Sequence, residues 1–263
     1  MILEKIKVRR SFSAASATYD SAAELQRSVG KALLGTIDTA LLSGTILDLG
    51  CGTGFLTGEL LGCTPCNPLQ SVIALDIAWS MLQTTRNKLN HQEIVRYICA
   101  DAEHLPVAGH TIDQIFSNLA LQWCRHLDVV FADSKRVLKT GGRLVFSTFG
   151  PATLQELKAA WATVDDYNHV NAFYSGQQLR DFLQQAGFKD IRLESRLYTS
   201  RYDSVLALMR ELKQLGAHNV IVGRNRQITS KSAMQRMIAA YENQCMNGRI
   251  SATFEVIMVS AKA

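Results

Sequence analysis

Thr45-Ile-Leu-Asp-Leu-Gly50-Cys-Gly-Thr-Gly54-Phe-Leu-Thr-Gly-Glu-Leu-Leu61 is the stretch that decides the fold of this chain. A short aliphatic run of strand type ends at three glycines spaced by single residues, and the helical pattern Phe55, Leu56, Leu60, Leu61 begins at once. Gly50, Gly52 and Gly54 let a backbone turn tightly and approach a ligand with no Cβ in the way. The spacing is G-x-G-x-G, unlike the G-x-G-x-x-G of dinucleotide sites. A purely structural turn accounts for one or two of these glycines, but not for the whole run with Asp48 before it.

Outward from this unit the pattern repeats. Ser71 to Asp76 reads as a strand and Ser80 to Leu89 as a helix, and a third strand from Ile94 ends at Asp101. Ile112 to Ser117 runs into Asn118-Leu-Ala-Leu-Gln-Trp123, a helix spans about 128–138, and a turn at Thr140-Gly-Gly142 leads to a fifth strand, Arg143 to Phe149. Strands alternating with helices imply a mostly parallel sheet with right-handed crossovers and ligands beyond the carboxyl ends of the strands. Helical spacing over 12–42 places helices ahead of the sheet. After Pro151 the reading is helices near 152–166 and 175–186, a strand near 188–199, helices near 203–215 and 230–245, and a last strand from Thr253 to Val259. The expectation is an α/β fold with a seven-stranded sheet and a helical insertion before the last strand. It forms one domain over 1–263, divided into N-terminal helices (1–43), a ligand-binding core (44–150) and a substrate side (151–263).

Composition bounds the rest. Of 263 residues, 47% are hydrophobic and 19% charged, enough apolar material for a sizeable core. No run of about 18 apolar residues occurs and the first twenty residues lack a continuous apolar segment, so neither a membrane span nor export is indicated and a cytoplasmic location is expected. The six cysteines, at 51, 63, 66, 99, 124 and 245, are too few for a disulfide scaffold and are expected to be reduced. Cys63-Thr-Pro-Cys66 precedes a strand with no second ligand pair at zinc spacing, and the histidines show no metal motif, so no metal is expected. A net charge of +5 spread along the chain favours an acidic partner without demanding nucleic acid.

Two strand ends carry acids. Asp76 is placed to accept two ribose hydroxyls, since an ionised carboxylate is a bidentate acceptor, or else to cap the following helix. Asp101 can accept from an exocyclic adenine amine or cap the next turn. With the glycine turn, they describe a nucleoside held across the strand tips with its third substituent at the glycines.

At this point the order DLGCGTG, ALD, CADAEHLP, SNLALQWC resembles the class I S-adenosylmethionine-dependent methyltransferases, with their Rossmann-like fold. SNLALQWC, together with Phe12 to Asp20 before it and Leu212 to Ala217 after it, more narrowly resembles the malonyl-acyl-carrier-protein O-methyltransferases that open biotin synthesis. Little beyond a two-helix pattern is recognisable over 219–250. The resemblance implies S-adenosylmethionine as cofactor, with Gly50, Cys51, Gly52 and Gly54 at its methionine portion, Asp76 at the ribose, and Asp101 and Ala102 at the adenine. It puts Asn118 and Leu119 at the methyl end and makes Tyr19 and Gln26 parts of a lid, with Asp48, Ile77 and Met81 completing the cofactor set. For Tyr19 the plainer reading is an amphipathic helix residue whose hydroxyl meets solvent.

The fourth strand bears on the atom methylated. Enzymes acting on planar nitrogens carry an Asn/Asp-Pro-Pro-aromatic run there, and this chain has Asn118-Leu-Ala-Leu121. An oxygen or carbon nucleophile fits better. A carboxylate, already ionised at pH 7, needs no general base, so no catalytic acid or base is assigned. The expected substrate is the malonyl group of an acyl-carrier protein or of coenzyme A; another small acid or a quinone precursor, or a non-enzymatic binding module on the same fold, are the alternatives. Arg210 and Lys213, three apart on one helix face, are the candidate anchor for the substrate carboxylate, with a solvated face as the plainer reading. They and the basic segment 224–231 (Arg224, Arg226, Lys231) are candidates for docking an acidic carrier, with Lys5 to Arg10 next. Trp123 and Trp161 read equally as walls of an acyl pocket or as core.

Overall fold

The computed structural model describes residues 4–63, 69–217, 229–243 and 248–263. Three helices, α1 (Lys5–Ala15), α2 (Tyr19–Ala22) and α3 (Glu24–Leu34), precede β1 (Gly44–Leu49). Then α4 (Phe55–Gly62), β2 (Leu69–Asp76), α5 (Trp79–Lys88), β3 (Val95–Cys99), β4 (Ile112–Asn118), α6 (Leu127–Val137) and β5 (Leu138–Phe149) follow. The substrate side adds α7 (Gln155–Ala162), α8 (Gly176–Gln185), β6 (Lys189–Tyr202), α9 (Val205–Gln214), α10 (Lys231–Glu242) and β7 (Ile250–Lys262). The seven strands form one sheet in the order β3-β2-β1-β4-β5-β7-β6, in which only β7 runs against its neighbours.

Period-two alternation sorts the strand side chains onto two faces. Leu47, Ile115, Leu144 and Phe146 join the cluster containing the apolar faces of α6 and α8. Their chain neighbours Ile46, Phe116 and Val145 pack with Val29 and Leu33 of α3 and Leu56 and Leu60 of α4. Burial on both faces explains why these strands read as near-continuous aliphatic runs. A third cluster, with Trp161, Tyr202, Leu208, Met237, Tyr241 and Phe254, joins α7, α9 and α10 to the adjoining ends of β6 and β7.

Two sequence readings are corrected here. The Gly141-Gly142 turn is absorbed into β5, because Gly141 N donates to Ala263 O at 3.0 Å and Ala263 N donates to Gly142 O at 2.7 Å, so the glycines pair with the end of β7. β7 is also longer at both ends than its apolar run, since the ladder to β6 continues from Ile250↔Tyr202 to Lys262↔Lys189. No described helix is long and apolar enough to cross a membrane.

Candidate active site

The loop from β1 to α4 is built by hydrogen bonds that its sequence permits. Gly50 N and Cys51 N both donate to Leu75 O, at 2.7 and 2.9 Å, which ties the turn to the tip of β2. All three glycines take positive φ: 79° at Gly50, 55° at Gly52 and 84° at Gly54. Their surroundings differ. A Cβ on Gly50 would lie 2.4 Å from Ala120 Cβ and one on Gly54 2.5 Å from Thr85 Cγ2, so both are needed for packing, whereas nothing lies within 4 Å of a Cβ on Gly52. Gly52 faces open space at the floor of a cavity, as a glycine does where a ligand must come close.

Asp76, buried, receives Gly52 N on Oδ2 at 2.9 Å and Ala78 N on Oδ1 at 2.8 Å. It therefore caps the turn before α5 and also organises the glycine loop. Burial raises its carboxyl to about 6, with the bonds from Ala78, Gly52 and Ile77 pulling the other way. Asp48 is buried more deeply; Thr57 Oγ1 donates to its Oδ2 at 2.6 Å, and its Oδ1 is buried with no partner. Burial, reinforced by Asp76, pushes it up to about 7. The neighbouring Cys51 thiol is likewise raised by burial and by the same two acids.

Asp101 ends the third strand unit facing α1. Its Oδ1 accepts from Glu103 N at 3.0 Å and pairs with Lys5 Nζ at 2.5 Å, and Lys5 also reaches Glu103 Oε1 at 2.9 Å. Lys5, which the sequence offers as part of a docking stretch, instead fastens the first turn of α1 over the cavity. Phe12, two turns on and on nearly the same face of α1, meets Trp123 edge to face at 5.3 Å.

One cavity, about 690 Å³ counting its mouth, is bounded by Gly50, Gly52, Asp76, Ile77, Met81 and Tyr19 on one side. Asp101, Ala102, Asn118, Leu119, Lys5 and Trp123 close the other. It opens onto a second space against Asp48, Cys51, Gly54, Gln26 and Arg27. The fourteen residues assigned to a cofactor from sequence therefore lie around one connected depression. Tyr19 packs with Ala15, Ala78 and Met81, and burial followed by Asp76 and Asp20 raises its phenol well above the usual tyrosine range, so its hydroxyl is not a solvent-facing one. Asp20 accepts from Thr53 Oγ1 at 2.7 Å and pairs with Lys88, which pins the helix carrying Tyr19 to the glycine loop.

Asn118 lines the depression, but both ends of its amide are engaged: Nδ2 donates to Gln26 O at 2.8 Å and Oδ1 accepts from Ser147 Oγ at 2.8 Å. It positions α3 against the tip of β4. Leu119 follows in the left-handed region, φ 48°, with its N–H directed to Ser147.

A further cavity, about 680 Å³ counting the open solvent at its mouth, shares Gln26 with the second space and Trp123 with the first. Its wall is largely apolar, with Leu25, Phe149, Leu157, Phe173, Leu212 and Phe254 among its residues. Arg210 and Lys213 are not on it. The two do share one face of α9, but that face is exposed, and the helix presents Glu211, Leu212 and, just beyond it, Leu215 to the cavity. Sequence periodicity finds a shared face without saying which way it points. Trp123 is a cavity wall, while Trp161 is buried in the cluster that joins α7, α9 and α10 and stacks on His169 at 3.7 Å. Arg224, Arg226 and Cys66 lie outside the described residues, and Lys231 opens α10, exposed. No group of residues suited to a metal occurs among the described residues.

Comparison with known proteins agrees with this arrangement. The model of the family described as "Methyltransferase domain" matches residues 47–146, from β1 into β5. The malonyl-[acyl-carrier protein] O-methyltransferase of Methylococcus capsulatus is 44% identical over 97% of this chain and 92% of its own length. The chain belongs to the malonyl-[acyl-carrier protein] O-methyltransferases. A biotin biosynthesis bifunctional protein of Cellvibrio japonicus is 42% identical over 97% of this chain and 49% of its own length. Among solved structures, the Haemonchus contortus phosphoethanolamine N-methyltransferase 2, in complex with phosphomonomethylethanolamine and S-adenosylhomocysteine, matches with a TM-score of 0.57 at 15% identity. That match covers 95% of this chain and 57% of the other, and at this identity it speaks for the fold. As a member of this methyltransferase family the chain is an enzyme of methyl transfer, which removes the binding-module reading.

Proposed function

We propose that this enzyme methylates the free carboxylate of malonyl-acyl-carrier protein, with S-adenosylmethionine as donor, and so provides the malonyl methyl ester that starts pimeloyl and biotin synthesis in the cytoplasm. The observation that carries the reading is the pair of adjoining cavities, one walled by the glycine loop and the strand-end acids and one largely apolar, meeting at Gln26 and Trp123. The names of the relatives supply the substrate class. The residues fit the cofactor: Gly52 leaves open the space a side chain would fill, and the partnerless Asp48 Oδ1 is a buried acceptor suited to an ammonium group.

When bound, the cofactor supplies an electrophilic methyl on a sulfonium. In our reading Asp76 accepts from the ribose hydroxyls, Asp101 and Ala102 meet the adenine, and the glycine loop holds the methionine portion. Asn118 and Leu119 set the methyl end against the apolar cavity. A substrate carboxylate held against that methyl would take it, with a C–O bond formed as the C–S bond breaks and its electron pair left on sulfur. No proton moves. Rate then comes from alignment, which can contribute about 7–11 kcal/mol in favourable systems, and from removing water from the nucleophile.

The test is methyl transfer to malonyl-carrier protein, malonyl-coenzyme A and free malonate side by side. The expected product is a base-labile methyl ester, formed fastest on the carrier protein. A base-stable product, or free malonate as the best substrate, would overturn the reading.

A further inference from the structure

Resting on that reading, we infer that the malonyl carboxylate is held by the neutral carboxamides of Asn171 and Gln26, not by a cation. Sequence reasoning looked for a positive anchor, yet among the described residues lining the apolar cavity there is no lysine or arginine. Lys158 stands beside this cavity but is engaged elsewhere: its Nζ lies 5.7 Å from the centre of the Phe173 ring and donates to Pro151 O. Asn171, in contrast, is only 6% exposed and lines the cavity from the loop between α7 and α8. Its Oδ1 is buried without a partner, and its side chain makes no hydrogen bond among the described residues. Gln26 Oε1 is the other partnerless buried amide atom on this wall. Two amide side chains, each with an oxygen left without a partner, mark a polar spot on an otherwise apolar wall.

The atoms without partners are the amide oxygens, but rotation about the last torsion decides which end of each amide meets the cavity, and an NH₂ turned to it offers a carboxylate an N–H donor. His169 on the same wall has Nε2 at 2.8 Å from Asp165, and Glu211 accepts from Tyr202 OH at 2.6 Å; a second carboxylate would be repelled by Glu211, which leaves the amides as its place. Gln26 sits where this cavity meets the cofactor space, with its backbone carbonyl fixed by Asn118. Neutral donors also suit the chemistry. They offset the loss of water around the anion while leaving more charge on the attacking oxygen than a guanidinium would.

The experiment measures binding of malonyl-coenzyme A and acetyl-coenzyme A to the S-adenosylhomocysteine-loaded enzyme by calorimetry, since acetyl lacks only the carboxylate. Wild type should prefer malonyl. Asn171→Leu should weaken malonyl binding roughly 10- to 100-fold, the range for a hydrogen bond to a charged group, with acetyl and S-adenosylhomocysteine binding unchanged. Asn171→Asp should reverse the preference by repulsion, and Asn171→Ser, with one donor left, should keep part of it and serves if the leucine variant does not fold. Equal losses on both thioesters, or no loss on either, would overturn the inference. A wild-type protein that prefers malonyl but transfers no methyl to it would support the cradle and sink the proposed reaction.

Discussion

If Asp76 receives the ribose hydroxyls as proposed, lowering the pH from about 8 to about 5 should weaken S-adenosylhomocysteine binding by about tenfold, because hydroxyls bond a carboxylate much more strongly than a neutral carboxyl. With its carboxyl raised to about 6 in the empty site, roughly one molecule in ten is ready at pH 5, a loss of about 1.4 kcal/mol. Asp76→Asn removes one acceptor and turns an NH₂ toward Gly52 N or the ribose, so at pH 8 affinity should fall by about 1.5–3 kcal/mol and the pH dependence should flatten. Stability moves the opposite way. A raised acid pKa means that the folded state binds the proton more tightly, so this contribution to stability is full below about 3.8 and is lost as pH rises through about 6. The shift of about two units corresponds to about 3 kcal/mol at most, and the difference in Tm between wild type and Asp76→Asn isolates it from other acids. Calorimetric titrations and melts across this range decide the matter. A variant that binds as tightly as wild type at pH 8, or a wild-type affinity flat with pH, would refute the reasoning.

Other expectations follow from the same geometry. Gly52→Ala should cost roughly 1–2 kcal/mol of stability, since an L side chain is strained at its left-handed φ, and should abolish cofactor binding in the folded fraction seen by calorimetry. Lys5→Ala should speed amide exchange across α1 while leaving exchange of the central strands unchanged. Arg210→Glu with Lys213→Glu should raise KM for malonyl-carrier protein, increasingly at low salt, and leave KM for malonyl-coenzyme A unaltered; equal effects on both would move these residues from carrier docking to the pocket or fold.

What the sequence disclosed and what it hid divide along physical lines. The strand ends beside Asp48 and at Asp76 were legible because short aliphatic runs stop where the sheet stops and glycine marks a turn, while the third strand stops at Cys99, two residues before the Asp101 at which the sequence pattern places its end. Lys5 was not, since its partners lie 96 and 98 positions away and no local periodicity announces a bond across the chain. Asn171 stood in a loop, where neither the helical nor the strand period gives a side chain a direction. The glycine pair at 141–142 misled because glycine permits a turn without requiring one, and the end of β7 supplied partners for an extended strand.

The fastening of α1 has a kinetic consequence. If the adenine meets Asp101 as proposed, a nucleoside entering beneath this helix competes with Lys5 for the same carboxylate. Dissolved ions weaken such a pair, and they weaken docking of an acidic carrier as well. Added salt should therefore quicken nucleoside entry while slowing carrier arrival, and a stopped-flow series in ionic strength should show the two association rates crossing in opposite directions.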